Sequence, residues 1–492
     1  MCRMVLFVFL FCLVGKLAAQ TLQPECCTYL GGSDDDRVHG MTIDKSGSVY
    51  LTAPIRSTDF PITKGAVQKN ATGVYVARIG AACDSLLLST WIGMPGGANY
   101  AHNIAVDDNG FIYVYGNSTN ADFPTTPGAF DRTFHGPADA SHGDVYVMKL
   151  SPAGDKIVWS TFIGGSGMDL SGAILLDREG NAILTGCTSS PDFPVTPGAY
   201  DTSFNGGEGD GRDDVFIAKL SADGADLLFC TYLGGSKTEP GAGITMDING
   251  DIYLYGTTSS TDFPVTENAY LSAYQGGSGQ HGQGDAFLAK LSADGSRLDY
   301  STFIGTSGDE TVSSVVIGPD GQLFLAGYTN SPDFPTTSGV LSAHHAGGND
   351  GFLMKFSPDL KQLLTSTFIG GSGEDAHLVL RYAFDKLLVC GETESTDFPV
   401  TDNALDASFN GNSDRFITLI EPDMGKMTYS TFWGGSGYDS GAMCVDNDYL
   451  YLAGTTTSRD LPVTDGVYDT SYNGGGSMRW GGDAYVVKFR VK

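Results

Sequence analysis

With 492 residues, 67 glycines, 11% aromatic and only 17% charged residues, the chain has the composition of short strands joined by turns, and no stretch reads as a sustained amphipathic helix. A formal charge of −29, from 28 basic against 57 acidic residues, argues against nucleic acid and anionic membrane as partners. It suits cations, basic partners or neutral glycans, and equally well a surface charged only for solubility.

The chain opens with MCRMVLFVFLFCLVGKLAAQ: a basic start at Arg3, an apolar run from Met4 to Val14, and small residues at Ala18 and Ala19. This reads as a secretory signal peptide over residues 1–19, too short to span a bilayer, and no transmembrane segment follows it. The mature chain keeps Cys26, Cys27, Cys83, Cys187, Cys230, Cys390 and Cys444, an odd number with no metal-ligand spacing. Several stand where other copies of a repeat have Ser or Ala, so buried small residues are the expectation. A disulfide is permitted but not specified.

Next comes CCTYLGGS, a strand with nothing before it, and then a repeat. The segment DFPxT recurs at Asp59, Asp122, Asp192, Asp262, Asp333 and Asp397, with DLPVT at Asp460. STFIGGSG at Ser160 keeps step with it, through variants at Cys27, Ser89, Cys230, Ser301, Ser366 and Ser430. The third copy shows the unit: SGAILLD and NAILTG alternate into strands A and B, a long segment carries DFPVTPGAY, DVFIAKL is strand C, and LLFCTYLGG is strand D. Four strands per copy and seven copies predict an all-β, seven-bladed β-propeller of four-stranded antiparallel blades.

The last copy stops after its C strand, DAYVVKF, one strand short, while the first strand is one too many. The N-terminal strand should therefore complete the last blade and close the ring, removing an exposed edge. The blades fall at about residues 34–93, 98–164, 168–235, 239–306, 310–371, 375–435 and 439–492, the last completed by 26–33, and make a single monomeric domain over 20–492. In DFP, proline fixes the chain leaving strand B and phenylalanine anchors the long segment between blades, which makes it a packing motif.

The STFIGGSG, DFPxTxGAY and DVFIAKLS elements resemble the SBBP, or seven-bladed β-propeller, repeat family of bacterial and archaeal exported and cell-surface proteins. The resemblance covers essentially the whole mature chain. It implies a non-catalytic surface or extracellular protein and brings no catalytic residues with it.

Strand order sorts the loops. A–B and C–D turns such as DREG and SADG are short and alike, whereas D–A and B–C connections carry the length and variation, so ligands are expected on that second face. All eight histidines agree with this partition. His39 and His102 take nearly equivalent places at the channel mouth, where a shared metal is conceivable, and His344 and His345 lie in a B–C segment. Trp480, beside Arg479 in GGGSMRWGG, is the best candidate for an exposed contact residue.

Each D–A connection also carries an acid or amide: Asp36, Asn99, Asp169, Glu239, Glu310, Asp375 and Asp439. Gathered around one channel entrance the carboxylates would hold structural calcium; otherwise each caps its own GGSGxD turn. The glycine-rich segments 206–214 and 276–285 resemble calcium loops in composition only. The reading that results is an exported scaffold binding a protein or glycan through its D–A/B–C face. The alternatives are a glycan hydrolase or lyase with its site there, and a purely structural envelope component.

Overall fold

The computed structural model describes residues 21–68, 73–93, 99–137, 142–207, 212–241, 243–277, 284–475 and 481–492; the predicted signal peptide lies outside them. Strand follows strand in seven four-stranded sheets, each wholly antiparallel. In blade 3 strand A is Asp169–Leu176, strand B Ala182–Thr188, strand C Asp214–Leu220 and strand D Leu227–Leu233. The innermost A strands of successive blades touch, and those of blades 7 and 1 meet to complete the ring. They converge closely. A Cβ on Gly40 would lie 2.9 Å from the Cα of Asn103 in the next blade, so only glycine lets these strands approach there.

Closure follows the strand arithmetic. In blade 7 the order runs Ala442–Val445, Tyr449–Thr456, Asp483–Val491 and then the N-terminal strand Leu22–Leu30. Cys27 pairs with Val487 and Tyr29 with Tyr485, which covers the edge that the final strand would otherwise expose.

The core lies between blades, where each sheet packs on its neighbour. Phe60, Phe123, Phe193, Phe263, Phe334 and Phe398 of the DFP segments are all buried. Each meets an aromatic residue of its own strand C, as Phe193 meets Phe216 at 4.4 Å between ring centroids. Burial of one such side chain contributes about 2–3 kcal/mol, and the motif provides it in six blades. The aspartate of the motif ties the loop down: Asp192 accepts bonds from the amide and hydroxyl of Ser166, both at 2.8 Å.

One covalent bond was not specified by the sequence. Cys26, in the N-terminal strand, is joined to Cys83 in the C–D turn of blade 1. Cys27, Cys187, Cys230 and Cys390 are buried free thiols, in keeping with their small-residue neighbours in the repeat.

Candidate functional site

The D–A acids do not form an open ring. Asp36, Asp169, Glu239, Glu310, Asp375 and Asp439 are all buried within the seams between blades. Asp169 is representative. Its Oδ2 accepts the Gly165 amide at 2.9 Å, and its Oδ1 accepts the hydroxyls of Thr188 at 2.5 Å and Ser190 at 3.0 Å. Both oxygens of Asp169 thus serve backbone and hydroxyl donors, which is the capping geometry of the turn. Among the described residues no three His, Cys, Asp or Glu side chains gather as a metal site would require. In the structure the six acids sit as separate caps of their own turns; parts of both glycine-rich segments, 208–211 and 278–283, lie outside the described residues.

Each cap faces a second acid, the first residue of the preceding strand C. A Cβ on Gly434 would lie 2.8 Å from both Asp414 Oδ1 and Asp439 Oδ2, so the two carboxyls crowd one glycine. Asp214 with Glu239, Asp350 with Asp375 and Asp483 with Asp36 repeat the arrangement. Burial, then the charges of Asp439, Asp406 and Asp460, push Asp414 up to about 7. Asp214, Asp285 and Asp483 reach about 7 and Asp144 about 6, with burial again the main cause. At the seam between blades 1 and 2 both acids are absent: Gly73 precedes strand C and Asn99 takes the cap position, accepting the Ser118 hydroxyl at 2.7 Å.

At the axis, on the D–A/B–C face, a cavity of about 680 Å³ opens. His39, His102 and His377 line it together with Arg37, Ser313, Glu392 and Ser440. Strand A of blades 1 and 2 brings two imidazoles face to face: His39 and His102 stack at 5.5 Å with planes 15° apart. Tyr100 stacks against His102 at 5.9 Å and against His142 at 5.3 Å, extending the row. Burial, then the neighbouring His39 and His142, lowers His102 to about 4. His39 is lowered as well, by burial and then Arg37, so this wall is uncharged at neutral pH. Parallel rings send their in-plane lone pairs side by side, not onto the one point that a shared metal would need.

His102 Nδ1 lies 2.7 Å from the hydroxyl oxygen of Ser171, which lies 3.2 Å from Asn117 Oδ1, so imidazole, hydroxyl and amide form one chain of hydrogen bonds. The far wall belongs to blade 6. Glu392 is the next-to-last residue of strand B, and its cross-strand partner in the register is Arg415. The guanidinium is fully buried, with Nη1 3.5 Å from Glu392 Oε1 and Nη2 donating to Cys390 Sγ at 3.1 Å.

The other predicted contacts fall elsewhere. His344 is exposed and His345 packs edge-on against Phe368 at 5.6 Å, both outside the cavity lining. Arg479 and Trp480 lie outside the described residues. Trp91, Trp159 and Trp433, all in D strands, are buried.

The model of the family described as SBBP, beta-propeller repeat, matches residues 89–124 and 229–264, each a strand D followed by the next blade's A and B strands. No curated protein matches the chain in sequence. Among solved structures, a protein of unknown function from Dyadobacter fermentans DSM 18053 is 9% identical over 96% of this chain and 99% of that one, with a TM-score of 0.43. The WD40 repeats of RRP9 are 7% identical over 96% of this chain and 100% of that chain, with a TM-score of 0.47. An ulvan lyase of polysaccharide lyase family PL25, bound to -[GlcA(1-4)Rha3S]-, is 8% identical over 89% and 94%, with a TM-score of 0.46. Likenesses this distant carry no argument about activity.

Proposed function

We propose that this seven-bladed propeller, built from SBBP beta-propeller repeats, is an exported or cell-surface binding module that takes a protein or glycan ligand at its channel mouth on the D–A/B–C face, by recognition and not by catalysis. One observation carries the reading: at the channel wall the sevenfold repeat gives way to unlike residues. The place of Glu392 is held by Pro54, Asn117, Cys187, Thr257, Tyr328 and Thr455 in the other blades. A residue type present in every blade serves the blade, whereas a site for one ligand needs groups that differ around the axis.

The reading is tested by finding a ligand on a glycan array and in pull-downs from the native envelope, then comparing variants at fixed ionic strength. His102→Ala is expected to weaken binding at unchanged melting temperature. Asp223→Ala and Asp294→Ala, in turns of the opposite face, are expected to leave it intact. Binding lost in the turn variants and kept in His102→Ala would place the site on the other face.

A further inference from the structure

We infer that the channel mouth is a subsite for a neutral sugar, whose hydroxyls bind Glu392 and whose C–H face lies on the His39–His102 stack; this rests on the channel mouth being the binding site. The argument starts from a group that the fold does not need. Arg415 occupies the second position of strand C, where the other blades have Val74, Val145, Val215, Ala286, Gly351 and Ala484. These are small or aliphatic residues suited to an inter-blade core. A fully buried guanidinium is among the costliest groups to place there, and Arg415 keeps Nε and Nη1 without hydrogen-bond partners.

The one blade with an arginine inside is also the one with a carboxylate at that point of the channel wall, and the two face each other across the register. Arg415 thus stands behind Glu392 as its counter-ion, while the Glu392 side chain keeps 15% of its surface exposed. A carboxylate already countered by a guanidinium attracts a full cation weakly, and Arg37 at the same mouth opposes one. It remains a strong acceptor for hydroxyl groups, and two adjacent hydroxyls match its two oxygens.

The opposite wall completes the preference. Uncharged, stacked imidazoles present a flat face against which the C–H groups of a sugar ring can lie, and their nitrogens exchange hydrogen bonds with hydroxyls. Ser313, Ser440 and Thr455 add further hydroxyls to the lining. The volume of about 680 Å³ is that of a small-ligand site, with room for a terminal sugar.

The test uses the full mature protein and a calorimetric panel of methyl glycosides of neutral hexoses and pentoses, with amino-sugar and uronic-acid counterparts and simple amines. At least one neutral glycoside is expected to bind, its charged counterparts more weakly. Glu392→Gln and His39→Ala should each weaken it about tenfold or more, the loss of one charge-assisted bond or of the outer face of the stack. Because Glu392→Gln leaves a buried arginine uncompensated, the double variant Glu392→Gln/Arg415→Met gives the same reading in a chain whose melting confirms its fold. Amines that bind in a Glu392-dependent way while every sugar fails would overturn the sugar and keep the channel site. A neutral sugar indifferent to all these variants would overturn both. Silence across the whole panel would overturn the sugar subsite.

Discussion

At the seam between blades 2 and 3, the third residue of strand D, Trp159, lies against the C–D turn of the next blade, where a Cβ on Gly224 would meet its ring at 2.5 Å. Leu88 with Gly154 and Phe229 with Gly295 repeat this contact. At the seam between blades 7 and 1 the same two positions are Cys26 and Cys83, and the contact is a disulfide. The backbone bond that accompanies each contact is kept: Tyr200 N donates to Gly295 O at 2.9 Å, and Tyr468 N to Cys83 O at 2.8 Å. Six blades are each built from continuous chain, whereas blade 7 joins strands from its two ends. The disulfide does not span the junction of the two chain ends, which lies inside blade 7 between Leu22–Leu30 and Asp483–Val491; it anchors the N-terminal strand to blade 1, so that the strand closing blade 7 is held by more than its hydrogen bonds.

Deleting residues 21–33 removes the closing strand, its disulfide and the cap at Asp36's turn, and exposes the edge of Asp483–Val491. Loss of cooperative melting, with aggregation on heating, is the expected outcome, measured by calorimetry and light scattering. Melting like that of the parent would mean that the seventh seam is not the weak one.

Opening the disulfide alone has a smaller effect. The bonded cysteines are 57 residues apart, and releasing such a loop costs about 4 kcal/mol of stability by the chain-entropy account. Cys83 has a φ of 55°, in the left-handed region that Gly154, Gly224 and Gly295 occupy in the matching turns. Cys83→Gly is therefore expected to be more stable than Cys83→Ser by roughly 1 kcal/mol, since it removes the bond and relieves the backbone together. Denaturant unfolding of the two variants separates these contributions.

The seams also differ in charge, and pH reads that difference. The carboxyl pairs hold acids whose folded pKa values lie above their unfolded ones. Their stabilisation is fully present below the unfolded value, about 4, and is lost as pH rises through about 6 to 7. Melting temperature should fall from pH 5 to pH 8, each proton held by a pair contributing a slope of up to about 1.4 kcal/mol per pH unit. Asp414→Asn should flatten that slope by one pair's share, and a change at Asn99 of the neutral seam should not. The smallest effect belongs to the turn face: Asp223 accepts the Ser221 hydroxyl at 2.6 Å in an exposed turn, and Asp223→Ala is expected to shift stability by about 0.5 kcal/mol.

Blade number, strand order and closure were readable because the repeat states them seven times and the spare strand matches the missing one. The role of the D–A acids was half readable. Their spacing placed them at every seam, but only the register shows Thr188 and Ser190, the T-x-S before DFP, turned towards Asp169. The disulfide had a local signal: Cys83 stands where the matching turns have Gly154, Gly224 and Gly295, and Cys26 where a D strand carries a bulky residue. Seen singly, each resembles a small-residue substitution; the link appears once both are placed on one seam. Glu392 and Arg415 are 23 positions apart in a sequence rich in acids, and only strand pairing reveals them as one feature.

The bond between Cys26 and Cys83 also bears on the order in which the molecule is made. Both cysteines are available once the first 83 residues have emerged, long before the last blade exists. Oxidised at that stage, the N-terminal strand is parked on the flank of blade 1, one edge still vacant. The final strand then enters between two waiting neighbours, Tyr449–Thr456 on one side and Leu22–Leu30 on the other, and satisfies both in a single step. A nascent chain so tethered keeps its unmatched strand beside the place it will occupy. It is thereby kept from lending that strand to another copy, the exchange by which repeat proteins become entangled.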